Sequence, residues 1–211
     1  MGWTRQILRV NLTEGSCIPE PLNMDWANQY LGQRGLATRY LAEEIDPSCD
    51  PLGADNKLIM ATGPLTGTMA STGGRYSVIT KSPLTGAVAC SNSGGFFGAE
   101  LKNAGWDMII FEGKASEPVY LHIENDKATL MSAADYWGKS CWETDELLHA
   151  KHQDPQMRIA VVGRSAESGC LYSSVINDLH RAAGRSGVGT CLLYTSPSPR
   201  DRTRSRMPSS A

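Results

Sequence analysis

The amino-acid sequence predicts a β-rich domain with a few interspersed helices, and two observations lead to this prediction. Apolar and β-branched runs bounded by turn residues predict strands. Helical patterns fall between these runs without a regular strand–helix–strand alternation, which argues against a doubly wound nucleotide-binding fold. The predicted strands cover residues 6–12, 57–62, 76–80, 107–112, 118–124, 158–163 and 170–176.

Three segments have the pattern of helices. Residues 25–45 place apolar side chains at helical spacing, and Gly32 and Gly35 are predicted to break this segment into two helices. The segment SCWETDELLHAKH begins with Ser140 and Glu143, which have the spacing of a capping box. FFGAELKNAG is predicted to be a short helix ended by a glycine, and NDKAT to be the turn of a hairpin.

The composition is that of a globular protein. The 211 residues can bury a core, and 41% hydrophobic with 20% charged residues is an ordinary balance for such a domain. No apolar run reaches the roughly 18 residues of a membrane span, and the N-terminus has no apolar signal core. We therefore expect a cytoplasmic protein without a membrane partner. The six cysteines form no CxxC pair and are expected to be reduced packing residues.

A weak internal repeat runs along the chain. NKLIMATGPLTG, GGRYSVITKS and SNSGGFFG resemble, in the same order, MRIAVVGRSAESG, CLYSSVIND and HRAAGRSGVG. Each copy offers a strand, a glycine-containing turn, a second strand and a loop of small residues. If the similarity is structural, two similar loops should face each other across a pseudo-dyad; the alternative is a chance likeness of short patterns.

Three glycine-rich segments carry the residues most suited to binding chemistry. They are TGGRY with Arg75, SNSGGFFG with Asn92 and Gly94, and NDLHRAAGRSGVG with Arg181 and Gly184. Glycines let a backbone approach a ligand and expose N–H groups that bind anions, and arginine matches phosphate oxygens. Nearby carbonyl oxygens would suit a magnesium ion. The pattern indicates a large phosphorylated cofactor shared by two loops; the alternative is tight turns in a β-rich domain.

Other polar residues are weaker candidates. His122 alternates with apolar residues in a predicted strand and is expected to be packed or at the surface. His149 and His152 lie on or just past a polar helix. Asp107 and Glu112 flank a strand that is expected to be buried, and the sequence pairs no other carboxylate with them.

Taken in order, these segments resemble one family, the tungsten-containing aldehyde ferredoxin oxidoreductases, in their N-terminal domain. The resemblance covers almost all of residues 1–190. The matching stretches are ILRVNLTEG, LGQRGLATRYL, ATGPLTGT, TGGRYSVITKSPLTG, SNSGGFFGAELKNAGWD, EGKASEPVYL, WGKS and NDLHRAAGRSGVG.

The resemblance implies an α+β fold, a β-rich domain of two intertwined structural repeats that forms the base carrying a bis-pterin cofactor. Two pyranopterin molecules would hold tungsten through their sulfurs, and a magnesium ion would bridge their phosphates. The backbone carbonyls of Asn92 and Ala182 would bind that magnesium, and Arg75 would lie between a pterin and an iron–sulfur cluster. The implied pterin contacts are Arg75, Asn92, Gly94, Arg181, Ala182, Ala183 and Gly184.

The resemblance also implies an activity. The family oxidises aldehydes to carboxylic acids and passes electrons through a [4Fe–4S] cluster to ferredoxin or a similar carrier. The cysteine motif for that cluster and the helical domains that shape the substrate channel do not occur in this sequence. The chain is therefore expected to be an N-terminal fragment, inactive alone, whose partners are the missing C-terminal domains, a small aldehyde and an electron carrier. A homodimer or a complex with electron-transfer subunits would also fit.

The sequence changes character after Thr190. Residues 191–211 are rich in serine, proline and arginine, with four arginines against Asp201. This segment is similar to translated adapter read-through at the end of a truncated assembly, so we expect a non-native, disordered tail rather than a nucleic-acid-binding arm. The domain prediction is therefore residues 1–190, with no nucleic-acid partner. The remaining alternative function is a non-catalytic pterin- or phosphate-binding module.

Overall fold

The structure is a computed structural model, and it describes residues 2–194. The strands are β1 (Gln6–Asn11), β2 (Ser16–Pro21), β3 (Leu58–Thr62), β4 (Tyr76–Lys81), β5 (Val88–Ser93), β6 (Met108–Glu112), β7 (Val119–Glu124), β8 (Lys127–Ser132), β9 (Ala160–Val161), β10 (Val175–Asn177) and β11 (Arg181–Ala183). The helices are α1 (Met24–Tyr30), α2 (Gln33–Glu44), α3 (Phe97–Asn103), α4 (Cys141–His152), α5 (Arg164–Glu167) and α6 (Val188–Tyr194), with a short 3-10 helix at Ala134–Tyr136.

The largest sheet in this part of the chain is mixed. Its strand order is β2-β1-β6-β3-β4-β5, and β1 runs parallel to β6 while the other neighbouring pairs are antiparallel. A second sheet has the order β11-β10-β9, and β7 pairs with β8 as a hairpin. This arrangement confirms an α+β class and agrees with the prediction against a doubly wound fold.

Apolar side chains pack against both faces of the large sheet. In β3, Leu58 and Met60 belong to one core cluster, while Ile59 and Ala61 belong to another on the opposite face. Helix α2 covers the second face with its buried side chains. Burial on both faces explains why β3 is a continuous apolar run rather than an alternating one.

The predicted strands are confirmed wherever an apolar run lies inside the large sheet or the hairpin. The two predictions nearest the C-terminus are too long, because only Ala160–Val161 and Val175–Asn177 form ladders. Residues 170–174 instead form a turn in which the Cys170 carbonyl accepts hydrogen bonds from Ser173. The sequence analysis missed β2, β5 and β11, and it gave no bounds for β8, the strand that follows the predicted hairpin turn.

The predicted helix break is confirmed in part. Helix α1 ends at Tyr30, and Leu31 takes a φ of 65° before α2 begins. Gly35 lies inside α2 rather than at a break, and it is needed there because a Cβ would lie 2.7 Å from the Tyr30 carbonyl oxygen. The crowding shows that this glycine allows α2 to approach the end of α1.

The capping box of α4 is confirmed. The Glu143 amide donates to Ser140 Oγ at 3.2 Å, and the Ser140 amide donates to Glu143 Oε2 at 2.7 Å. A hairpin turn between β7 and β8 is also confirmed, with Asn125 at a φ of 55°, but it takes only Asn125 and Asp126, and the rest of NDKAT belongs to β8. Short-range patterns therefore predicted the local structure correctly where neighbouring residues alone decide it.

The domain boundary predicted after Thr190 falls inside α6. Cys191 is buried, and its thiol lies 3.4 Å from the Lys81 carbonyl and 3.6 Å from the Pro51 carbonyl. Burial raises the pKa of this thiol to about 11, so it stays protonated. Residues 191–193 thus pack as part of the domain, whereas the predicted tail from residue 195 onward lies outside the described residues. All six cysteines are within the described part and are free.

Candidate functional site

The two predicted loops each follow the last strand of a three-stranded unit. The first unit is β3, β4 and β5 followed by α3, and the second is β9, β10 and β11 followed by α6. In each unit, consecutive strands are antiparallel neighbours. Strands β5 and β11 lie close together, so the loops that follow them share one region of the surface.

Arg75 immediately precedes β4, and hydrogen bonds hold its backbone in place. Its backbone carbonyl accepts hydrogen bonds from Gln33 Nε2 at 2.9 Å and from Thr66 Oγ1 at 3.1 Å. Its guanidinium donates to Asn92 Oδ1 in β5 at 2.6 Å, and both side chains are exposed. The structure therefore brings together two of the predicted cofactor-binding residues and fixes the backbone of one of them.

The loop after β5 is pressed against the second unit. The Gly94 carbonyl accepts a hydrogen bond from Asn177 Nδ2 at 2.8 Å. Gly95 has a φ of 92°, and a Cβ there would overlap Asp178 Oδ2 and lie 3.2 Å from Arg181 Cγ. Glycine is required at this point because both the backbone conformation and the space exclude a side chain.

The second loop exposes most of its predicted residues. Arg181, Ala182 and Gly184 are exposed, whereas Ala183 is buried in the core. The methyl group of Ala183 therefore faces the protein, and only its backbone could serve a ligand. The Arg185 amide donates to Ser91 Oγ at 3.2 Å, which ties this loop to β5.

The predicted residues fit a magnesium-bridged pair of phosphates. Arg75, just before β4, and Arg181, in β11, offer exposed cationic groups, and Gly94 and Gly184 leave the backbone open. Asn92 and Ala182, whose carbonyls are the predicted magnesium ligands, are exposed on β5 and β11. The nearby carboxylate of Asp178 is engaged by the Phe96 amide at 2.8 Å and the Phe97 amide at 3.3 Å.

The sequence analysis missed the residues that support these loops. Gln33 and Thr66 hold the Arg75 backbone, and Asn177 and Asp178 contact the first loop from the second unit. Asn-Asp before a short strand is typical of a turn, so it gave no sign of a long-range role. The only available signal was that Asn177 and Asp178 open the glycine-rich segment NDLHRAAGRSGVG.

Asp107 and Glu112 have charged partners that the sequence analysis did not identify. Asp107 is buried and forms an ion pair with Lys102 of α3. Glu112 shares Arg9 and Lys57 with a second carboxylate, Glu44. The expectation that no carboxylate accompanies Glu112 was therefore wrong, because residues far apart in the chain meet at the end of the sheet.

The same ion cluster sets the protonation of its members. Burial raises the pKa of Glu44, but the hydrogen bonds from Arg9 and Lys57 outweigh it and leave that pKa lowered. Glu20 adds a further bond to Arg9 at 2.9 Å. These groups compensate one another's charge, which is typical of a structural cluster.

His122 is half-buried, as expected, and stacks on His152 with ring centroids 4.2 Å apart. His152 Nε2 also lies 3.0 Å from the Tyr120 hydroxyl. These side chains line an apolar cavity of about 280 Å³ between the β7–β8 hairpin and α4. His149 is partly exposed and contacts the Asp154 carbonyl at 2.7 Å.

Across residues 2–194, side chains form no group of three or more histidines, cysteines and carboxylates placed to hold a metal ion. Over the same residues, no helix is long and apolar enough to cross a membrane.

Comparison with known proteins places this domain among relatives of known activity. A family described as "Aldehyde ferredoxin oxidoreductase, N-terminal domain" matches residues 7–194. The tungsten-containing aldehyde ferredoxin oxidoreductase of Pyrococcus abyssi is 51% identical over 90% of this chain, and that of Pyrococcus horikoshii is 50% identical over the same share. In both cases the match covers 32% of the relative, so the chain spans about a third of their length.

More distant relatives also match most of this chain. The aliphatic sulfonate oxidoreductase, WOR-like subunit, of Pyrococcus furiosus is 33% identical over 90% of this chain and 33% of its own length. A solved structure, the active-site complex BamBC of benzoyl coenzyme A reductase with 1,5-dienoyl-CoA, superposes with a TM-score of 0.90 at 36% identity. That likeness covers 92% of this chain and 30% of the other. Since the family match extends over nearly the whole described structure, the chain belongs to the aldehyde ferredoxin oxidoreductase N-terminal domain family.

Proposed function

We propose that the chain is the cofactor-binding N-terminal part of a tungsten-containing oxidoreductase that converts aldehydes to carboxylic acids. The observation that carries this proposal is the close approach of β5 and β11, whose glycine-rich loops lie near the exposed side chains of Arg75 and Arg181. The 51% identity to an aldehyde ferredoxin oxidoreductase supports the same assignment. In this proposal the two intertwined repeats are the two three-stranded units, and together they form the base under the cofactor.

Each predicted residue has a role that matches its position. The backbone carbonyls of Asn92 and Ala182 would hold a magnesium ion, which would neutralise charge on the pterin phosphates. Arg181 would offset the repulsion between those phosphates, and the hydrogen bond from Arg75 to Asn92 Oδ1 fixes two side chains that would lie beside the pterin. Gly94, Ala183 and Gly184 contribute backbone, which agrees with the burial of the Ala183 side chain.

The bound tungsten bis-pterin supplies the redox chemistry, and the protein orients and insulates it. The other components lie outside this chain. A [4Fe–4S] cluster held by later domains would carry electrons to ferredoxin or a similar acceptor, and those domains would shape the channel for a small aldehyde. We place the enzyme in the cytoplasm, and we expect the 1–190 domain alone to have no turnover.

The first test is the reading frame beyond the codon for Thr190. Continuation into a long frame with a Cys-x-x-Cys-x-x-x-Cys motif supports the oxidoreductase. A stop codon after Ala211 in independent clones would favour the non-catalytic pterin- or phosphate-binding module instead.

The second test measures cofactor retention in the full-length protein from cells grown with tungstate. Arg181→Ala should lower the tungsten and pterin phosphate content per protein, because it removes a cation beside the phosphates. Arg164→Ala is the matched control, since Arg164 is exposed and pairs at 3.0 Å with Glu143 away from the loops. Equal tungsten content in both variants would contradict the role of Arg181, and absence of tungsten and pterin from the wild type would refute the enzyme assignment.

A further inference from the structure

We propose that Asn177 and Asp178 are positioning residues that lock the two cofactor loops at a fixed separation. The inference deepens the proposed function and rests on it for the identity of the loops. Both residues belong to the second unit, yet their side chains bond to the first. They form the inter-loop clamp, a name used below for Asn177 and Asp178 alone.

Asn177 uses both ends of its amide. It is 0% exposed, its Oδ1 accepts from the Tyr76 hydroxyl at 3.2 Å, and its Nδ2 donates to the Gly94 carbonyl at 2.8 Å. Burial, with the nearby charge of Asp178, raises the pKa of Tyr76, so its hydroxyl remains a donor. A buried amide with satisfied donors and acceptors fixes the groups around it, because breaking any bond leaves a polar atom unpaired.

Asp178 extends the same contact to α3. Its Oδ2 accepts from the backbone amides of Phe96 and Phe97, and also from Asn177 Nδ2 at 2.8 Å. Hydrogen bonds to a carboxylate are stronger than neutral ones. One carboxylate oxygen thus joins residues 82 positions apart, from the second loop to the start of the first loop's helix.

The backbone is strained where the clamp is built. Asp178 has a φ of 47° and Leu179 a φ of 58°, which are left-handed conformations unfavourable for residues with a side chain. On the other side of the contact, Gly95 must lack a Cβ because that atom would overlap Asp178 Oδ2. Strain on one side and a required glycine on the other show that the close approach is specified from both loops.

The clamp reaches the predicted ligands directly. Gly94 is itself a predicted pterin contact, and Asn177 is the ladder partner of Arg181 across β10 and β11. Moving Asn177 therefore shifts both loops relative to each other. Asn177 is too buried to touch the cofactor, so it acts through its neighbours rather than as a ligand.

The test compares Asp178→Ala with the conservative Asp178→Asn and with Ser140→Ala in the 211-residue chain. Asp178→Ala removes the acceptor, whereas Asp178→Asn keeps an oxygen that can accept from Phe96. Ser140→Ala removes the cap of α4, so it is a control for the loss of a helix cap far from the loops. The probe is inorganic pyrophosphate with Mg²⁺, titrated by calorimetry, and hydrogen exchange is followed over residues 91–97 and 181–187.

We expect Asp178→Ala to weaken pyrophosphate binding about tenfold. Asp178→Asn should keep most of the wild-type affinity. We also expect faster exchange in both segments for Asp178→Ala, and unchanged affinity and exchange there for Ser140→Ala. Exchange confined to residues 96–97, or an affinity loss as large in Ser140→Ala, would overturn the clamp. If the wild type does not bind pyrophosphate, the phosphate role in the proposed function fails. The exchange data still test the clamp in that case, because faster exchange in both segments of Asp178→Ala supports it and a change in only one segment contradicts it.

Discussion

The two three-stranded units follow the same order of elements but are stabilised differently. In the first unit, β3 and β4 are buried along their whole length, with core on both faces. In the second unit, β9 has two residues, β10 three, and β11 two exposed positions out of three. The first unit is therefore a rigid part of the large sheet, whereas the second depends on what it is attached to.

This difference shows where the geometry of the candidate site comes from. The exposed loop of the second unit cannot be fixed by a short sheet alone, so its contacts with β5 and with Gly94 determine its position. A cofactor that spans both loops would then lie between the buried first unit and a second unit whose position depends on its contacts with the first. Three predictions test this contrast, from the largest expected effect to the smallest.

The first prediction concerns the first unit and helix α3, which follows it. Lys102 of α3 donates to the Gly2 carbonyl at 3.0 Å, to the Gly63 carbonyl at 3.2 Å and to Asp107. Lys102→Met leaves the buried Asp107 carboxylate without its cation, so the free energy of unfolding should fall by about 3–5 kcal/mol. Urea denaturation measures this loss. The double variant with Asp107→Asn should recover part of it, and an unchanged midpoint in the single variant would contradict the rigid role of this unit.

The second prediction uses a matched pair of valines. Val78 in β4 and Val175 in β10 are both fully buried, and each lies on the middle strand of its unit. Val78→Ala should lower the free energy of global unfolding by about 2 kcal/mol, because it opens a cavity in the large sheet. Val175→Ala should cost about 1 kcal/mol globally and speed hydrogen exchange within β9 to β11.

Chemical denaturation and exchange on the two valine variants separate the outcomes. Equal global losses with no local exchange change would show that the units are equally rigid, which would remove the basis of the comparison.

The third prediction concerns pH and the helix that packs beside β9. Burial, and then the charge of His122 and Lys151, lowers the pKa of His152 in α4. The unfolded chain takes up the proton first, near pH 6.5, so the stability from neutral His152 is present above that pH and is lost as pH falls through the lower folded pKa. His152→Gln should therefore flatten the acid side of the stability profile. Parallel profiles for wild type and His152→Gln would contradict the assignment.

Long apolar runs and caps could be predicted because a few neighbouring residues decide them. The run LIMAT had to be a buried strand, and Ser140 with Glu143 had to begin a helix. By contrast, β11 consists of Arg-Ala-Ala and β2 contains two prolines, so neither has a strand pattern. Their pairing comes from partners elsewhere in the fold.

The candidate site divides in the same way. The glycine-rich loops with Arg75 and Arg181 could be selected from the sequence, because glycine and arginine have a recognisable use. The supports could not, since Gln33 lies 42 residues from Arg75 and Asn177 lies 83 residues from Gly94. Polar side chains such as these acquire their roles only when the fold brings their partners within hydrogen-bonding distance.

The parallel pairing of β1 with β6 has a consequence for synthesis. Arg9 and Glu112, which pair at the end of these strands, lie 103 residues apart in the chain. At about 5–20 residues per second, a ribosome needs roughly 5–20 seconds to deliver the second strand after the first. During that interval Ile7, Leu8 and Val10 have no permanent cover, so the nascent β1–β2 hairpin should be a substrate for chaperones until β6 emerges.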